Sequence, residues 1–322
     1  MKKFKTLAAL LLTAALVLAL AACGSLTKSN RTLISYDGAY EVSRDMLDYY
    51  ADYLRGSNPT VDFTEAEMAK TALTYIEDMA MSNYINLCWA RDAYGITVED
   101  EDVKSAVEAT IQSSIDSAGG EEQFQELLTK NSLTEELYRR LLLEGEVATR
   151  LSNKLFASGS DFAAVSDEQI AAFIKNTPVY GAKHILVLAN GDFDSALIKA
   201  NEIAARLTAG ESFDTLMKEF SEDPGLASYP NGYAYTAGTM VTEFEEAVKE
   251  LAVGDISQPV KTTYGYHIIM RVAVDDTFKK DVTEMILQSR VEQKNEEYKQ
   301  KIKTEYAGGY DNLTFADFKW AY

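Results

Sequence analysis

At 322 residues the chain is long enough for two or more domains with cores of their own. Its formal charge of −19, from 50 acidic against 31 basic side chains, argues against a nucleic-acid partner and fits a chain kept soluble by its charge. Two cysteines and two histidines make no disulfide framework, and no C-x-x-C, H-E-x-x-H or H-x-x-x-H spacing occurs, so no metal is expected.

Residues 1–22 read as a signal peptide. "MKKFK" is a basic opening, and the apolar "TLAALLLTAALVLALAA" is shorter than a comfortable bilayer span. Leu20-Ala21-Ala22-Cys23 resembles a bacterial lipobox, which implies cleavage before Cys23 and a diacylglyceryl group on its thiol. A two-chain lipid anchors stably where one chain does not, so the expectation is a protein held at a membrane face. The plainer alternative is a simple secreted protein with a cysteine at that place. Cleavage removes Lys2, Lys3 and Lys5, taking the charge from −19 to −22. Residues 23–33, small and polar, read as a tether. Cys88 is then the remaining thiol, and its setting in "NYINLCWARDAYG" predicts a small core residue.

From 34 to 177 the pattern is helical. "TEAEMAKTALTYIEDMAMSNYINLCWARDAYG" opens with Thr64 and Glu67 at capping-box spacing and stops at Gly95. "TVEDEDVKSAVEATIQSSIDSAGG" places Thr97 as a cap with acids in the first turn, and breaks at Gly119-Gly120. "EEQFQELLTKNSLTEELYRRLLLEGEVATRLSNKLF" predicts one or two more amphipathic helices. A short helix from Asp167 has Ser166 and Gln169 spaced for another box, and ends before Thr177-Pro178, where proline disfavours helix in its predecessor.

Between 178 and 273 the grammar changes to short apolar strands alternating with helices. "AKHILVLA" reads as a strand, "SALIKANEIAARLTAG" as a helix closed by Gly210 and "FDTLMKEF" as a short helix. "TEFEEAVKELAVG" reads as a helix with a Thr242–Glu245 box, and "GYHIIMRVAV" as a last strand. Residues 274–322, with "KKDVTEMILQSRVEQKNEEYKQKIKTEYAGGY" from Lys279 on, read as a long charged helix too polar to fold alone. It is expected to pack back on the N-terminal helices and leave 178–273 as an insertion. The fold class is therefore α+β, a mostly helical domain built from both ends of the chain around a small antiparallel sheet with its own helices.

No G-x-S-x-G elbow, Walker loop or G-x-G-x-x-G occurs, and no cofactor is expected. Taken alone, each histidine in an apolar strand reads as a core residue with one hydrogen bond. Met240 and Phe244 read as the start of a helix core, and Asp223 before Pro224 as a turn residue.

Jointly these residues carry a resemblance. "GAKHILV", "LTAGESFDTLMKEFSEDPG", "NGYAYTAGTMVTEFEEAVKEL" and "VGDISQPVKTTYGYHIIMRV" occur in order and resemble a parvulin-type peptidyl-prolyl cis/trans isomerase domain. With the lipobox and flanking helices, the chain is similar to PrsA-type foldase lipoproteins of monoderm bacteria. Its helical part is more loosely similar to chaperone domains of SurA-like proteins. The resemblance implies that the two histidine strands lie side by side at the centre of a small sheet, with the imidazoles paired beneath a substrate groove. It assigns His184, Asp223, His267 and Thr262 to catalysis. It assigns Met240, Phe244 and Tyr235 to the proline pocket.

Two departures qualify it. Where family members often carry "GGDLG", this chain has "PNGYAY", so a leucine that closes the proline pocket is missing at Gly232. Where phosphate-selective members carry a basic cluster, this chain has "LANGDFDSALIK", which argues against phosphate recognition. The resemblance implies a membrane-anchored extracytoplasmic foldase acting on unfolded or partly folded exported proteins with X-Pro bonds. The alternatives are a chaperone lipoprotein with an inactive parvulin domain, or a solute-binding lipoprotein.

Overall fold

The computed structural model describes residues 31–131 and 133–318. The signal peptide, Cys23 and most of the tether lie outside the described residues. Two compact units emerge: residues 164–290, and residues 31–163 together with 291–318. The first is inserted in the sequence of the second and extends past both ends of the segment 178–273. No helix among the described residues is long and apolar enough to cross a membrane.

The helical unit opens with strands β1 (Thr32–Tyr36) and β2 (Tyr40–Ser43), where the sequence pattern predicts helix from 34. The turn "YDGAY" decides this locally: Asp37 and Gly38 sit at φ 55° and 65°, and Tyr36 pairs with Tyr40. Asp-Gly between alternating apolar residues is a strong hairpin signal, and helix geometry cannot contain it. Helices α1 (Arg44–Ser57), α2 (Ala66–Tyr94), α3 (Glu101–Ala118), α4 (Glu121–Lys130) and α5 (Glu135–Leu155) follow.

Their ends correct two expected caps. Thr64 turns its hydroxyl to Asp62 instead of capping α2, and Asp100 rather than Thr97 precedes α3, with Thr97 Oγ1 donating to Asp100 Oδ1 at 2.7 Å. Gly95 and Gly119 do end α2 and α3 in the left-handed region, at φ 67° and 97°.

The C-terminal segment packs on the N-terminal one. After helix α10 (Lys279–Lys299), expected to run on as one helix, the chain forms β7 (Thr304–Tyr306), which pairs antiparallel with the free edge of β1. Phe315 and Phe318, both essentially unexposed, enter the same apolar core as Leu33, Met46, Leu47 and Ile76. Cys88 is buried there too, and burial pushes its thiol pKa up. Glu144 is also buried but satisfied: Tyr40 Oη donates to it at 2.9 Å, Arg140 Nε at 2.8 Å and Asn83 Nδ2 at 3.3 Å.

The inserted unit contains α6 (Asp167–Asn176), β3 (Val179–Leu188), α7 (Phe193–Thr208) and α8 (Phe213–Phe220). After these come β4 (Tyr233–Thr236), α9 (Thr242–Glu250), β5 (Val260–Lys261), β6 (Gly265–Val272) and the first part of α10. The Ser166–Gln169 box forms as spaced, with both reciprocal hydrogen bonds. The four strands lie in the order β4-β3-β6-β5, antiparallel throughout. Alternation along β3 and β6 splits the sheet into two faces. Ile185, Val187 and Ile268 pack with residues of α7 and α8 such as Ala200 and Leu216. Ala182 and Ile269 face the other way and pack with Phe244 and Val248 of α9.

Candidate active site

The register of the two central strands builds the site. His184 stands opposite Ile269 and Leu186 opposite His267. Cross-strand partners and residues two apart share a face, so both histidines lie on the α9 side as diagonal neighbours. Their ring centroids are 5.1 Å apart with the planes tilted by 50°. Phe244, 3% exposed, sets its ring edge-on to both, at 5.4 Å from His184 and 5.5 Å from His267.

Each imidazole also has a partner outside the pair. His267 Nε2 is 3.0 Å from the hydroxyl of buried Thr262, which sits just past β5 and also accepts from Tyr264 N–H at 3.2 Å. His184 Nε2 lies 3.4 Å from Asp223 Oδ2. The tautomers are therefore biased by Thr262 and Asp223 and need not be fixed by one ring upon the other. Asp223 caps the short 3-10 turn Pro224–Ala227: its Oδ1 accepts from Gly225 N–H at 3.0 Å.

Burial holds the His184 imidazole below its ordinary pKa of 6.5, with Asp223 opposing the shift. His184 is thus neutral at pH 7, with one donor and one acceptor nitrogen. Among the described residues its Nδ1 is buried with no hydrogen-bond partner. The depressed value has a consequence for stability. Above 6.5 the folded and unfolded states bind the same number of protons here. Below it the unfolded chain protonates first, so stability falls as pH drops through the folded value. The melting temperature of the wild type should fall more than that of His184→Gln between about pH 7.5 and about pH 5.5. Equal falls in a calorimeter would show that the imidazole is not desolvated.

The expected pocket residues divide. Met240, half-buried in the loop before α9, packs with Phe244 on the Ala182–Ile269 face. Tyr235 is 2% exposed and lies against Tyr180 at 5.9 Å and Phe244 at 6.2 Å, backing Phe244. The Thr242–Glu245 box does not form. Glu245 is buried and turns back to accept from the backbone N–H of Gly238 at 3.0 Å and Met240 at 2.9 Å, which fixes the Met240 loop. Sequence reading took that acid for a helix cap and so missed it.

It missed Tyr233 as well. The ring stacks on His184, centroids 5.7 Å apart and planes 24° apart, and the hydroxyl donates to Asp223 Oδ2 at 2.6 Å. A signal existed: Tyr233 is two residues from Tyr235 on a strand, hence on the same face. At the preceding position, Gly232 has φ +89°, and a Cβ there would stand 2.4 Å from the Ala182 carbonyl oxygen. No side chain can take the place of the absent leucine.

The site therefore joins an apolar wall to two imidazoles, one carboxylate and two hydroxyls. Among the described residues no group of three or more His, Cys, Asp or Glu could hold a metal. Such a site can grip an apolar ring and present fixed dipoles beside it.

The rotamase family profile, described as the PPIC-type PPIASE domain, matches residues 184–273. The chain is 42% identical over 123 residues to the foldase protein PrsA of Geobacillus kaustophilus, covering 38% of this chain and 41% of that one. It is 26% identical over 228 residues to the foldase protein PrsA of Clostridium tetani, covering 65% of each chain. The crystal structure of PrsA from Bacillus subtilis aligns over 85% of this chain and 93% of that one, with 21% identity and a TM-score of 0.32. The chain spans about two fifths of the length of the first of these relatives.

Proposed function

We propose, for a chain that carries a PPIC-type peptidyl-prolyl isomerase domain and is similar to PrsA foldases, that it catalyses cis/trans isomerisation of X-Pro bonds in exported proteins. In this reading the helical unit holds unfolded or partly folded clients, and a lipid on Cys23 keeps the protein on the outer face of the cell membrane. His184, Asp223, His267 and Thr262 form the polar cluster of the site. Met240 and Phe244, backed by Tyr235, grip the proline ring.

The chemistry asks little in covalent terms. Rotation about an amide bond has a barrier of about 18–20 kcal/mol. In X-Pro bonds cis and trans are close in energy, and exchange takes tens to hundreds of seconds, slow enough to limit folding. No bond is made or broken, so the site needs neither a nucleophile nor a Lewis acid. In the twisted transition state the amide loses conjugation: the lone pair localises on nitrogen and the carbonyl oxygen gives up part of its negative charge, so the dipole changes. Dipoles fixed before the substrate arrives favour that state, and apolar walls hold the ring while the preceding carbonyl swings. A neutral imidazole at His184 suits this, because it can orient a dipole without setting a full charge in an apolar slot.

The observation that carries the reading is the His184–His267 ring pair with the Phe244 edge against both rings. The test uses the full chain and a reporter protein whose refolding waits on proline isomerisation. The wild type should accelerate the slow phase, and Asp223→Ala should reduce that acceleration about tenfold, in line with loss of one hydrogen-bonded charge. A wild type that suppresses aggregation without accelerating the slow phase would favour the second reading, a chaperone with an inactive isomerase domain, to which Gly232 in place of the leucine lends support.

A further inference from the structure

The outer edge of β3 changes partner at His184. Strand β4 serves it only as far as Ala182, which stands opposite Tyr233. Beyond the histidine an irregular segment takes over: Leu186 N–H donates to Ser221 Oγ at 3.1 Å, Glu222 N–H to the Leu186 carbonyl at 2.8 Å, and Leu188 N–H to Glu222 Oε2 at 2.7 Å. Between the two stretches lies a break in the sheet edge, and His184 is at that break. The Tyr233–Asp223 hydrogen bond spans it, joining the first residue of β4 to the end of the irregular segment.

Neighbouring residues are fitted to this contact. A Cβ at Gly225 would stand 2.1 Å from the Tyr233 hydroxyl, so the phenol fills the room a side chain would need there. Tyr229 flanks the phenol ring, with centroids 4.7 Å apart. At Gly232 the backbone is pressed against Ala182, which sets the direction from which Tyr233 departs.

We propose that Tyr233 is a positioning residue for the isomerase site: its hydroxyl holds the Asp223 carboxylate across the break in the sheet edge, beside His184 but not closed upon it. The inference rests on the functional reading above and deepens it. Asp223 has two oxygens, and the backbone of Gly225 occupies Oδ1. With the phenol proton on Oδ2, that oxygen stands 3.4 Å from His184 Nε2 and is already served by a short donor. Freed of the phenol, Oδ2 can take up the imidazole N–H and draw the ring toward its protonated form. Among the described residues the groups set against His184 are Asp223, Tyr233, His267 and Phe244, and of these Asp223 is the one whose charge opposes the depressed pKa of the imidazole.

The deciding variant is Tyr233→Phe in the full chain, which keeps the ring and deletes the hydroxyl. The two imidazoles are followed by NMR titration, with His184→Gln assigning the signals, beside proline-limited refolding across pH. The His184 midpoint is expected to rise by about one pH unit, and the rate acceleration at neutral pH to fall about tenfold, the size of a lost hydrogen bond to a charged group. In the Asp223→Asn background the same substitution should leave the midpoint where it is. An active wild type and a folded Tyr233→Phe protein with unaltered midpoint and pH profile overturn the proposal. So does a midpoint shift that survives in Asp223→Asn, since the phenol would then act by another route. A wild type without isomerase activity overturns the functional reading instead, a result told apart by the wild-type arm.

Discussion

Phe244→Ala should abolish the acceleration of proline-limited refolding and destabilise the inserted unit by about 3–5 kcal/mol, the range for truncating a buried phenylalanine. Both effects follow from one position. The ring is 3% exposed, meets both imidazoles edge-on, and is backed by Tyr235 and the α9 face of the sheet. Its removal leaves a cavity and lets water reach the histidines, so the desolvation that keeps His184 neutral is lost with the wall. Phe244→Leu separates the two effects. A volume-conserving apolar replacement should cost less than about 1.5 kcal/mol in stability. Edge-to-face contacts with two rings cannot be remade by an aliphatic group, so the rate should stay reduced. Denaturant unfolding and the refolding assay on the same preparations check this, and a Phe244→Leu protein as fast as wild type would show that the aromatic edge has no part in the reaction.

The second large effect lies in the helical unit. Arg55 is 4% exposed, and its Nη2 donates to the carbonyls of Phe315 at 3.1 Å and Phe318 at 2.9 Å. Nη1 is 3.2 Å from Asp52 Oδ1, and the guanidinium lies over the Phe315 ring at 4.4 Å. One side chain from α1 thus terminates the carbonyls of a segment from the far end of the chain. Arg55→Ala would strand those carbonyls in an apolar setting and remove the guanidinium beside Asp52. We expect a loss of about 3–5 kcal/mol, as for breaking a buried, hydrogen-bonded charge pair. The C-terminal segment should become open to proteolysis ahead of global unfolding, which limited digestion with mass spectrometry would detect. Arg55→Lys should recover only part of the loss, because a single ammonium cannot reproduce the planar fork and its stacking. Wild-type protease resistance in Arg55→Ala would refute the clamp.

Much of the secondary structure was legible along the chain because its signals are local. The Ser166–Gln169 spacing closes a capping box from residues three apart, and Gly95 and Gly119 end their helices wherever those helices pack. The alternation in "GAKHILV" and "GYHIIMRV" fixes which residues share a face before any partner strand is known. Thr97, Thr64 and Glu245 failed as predicted caps for a related reason: a short polar side chain near a helix start has several backbone and side-chain partners within reach, and the nearer or better shielded one wins.

Residue order by itself determined the kinds of element, the apolar faces of the two histidine strands, and the α+β class with helices contributed from both ends. Tertiary structure alone decided the diagonal register of His184 and His267, the turn of Glu245 toward the Met240 loop, the clasp of Tyr233 on Asp223, and the pairing of β7 with β1. Propensity and periodicity act over a few residues and are written into the chain. Contacts between distant segments are chosen by which packing buries the most apolar surface while leaving the fewest polar groups unpaired, and that choice exists only once the elements meet.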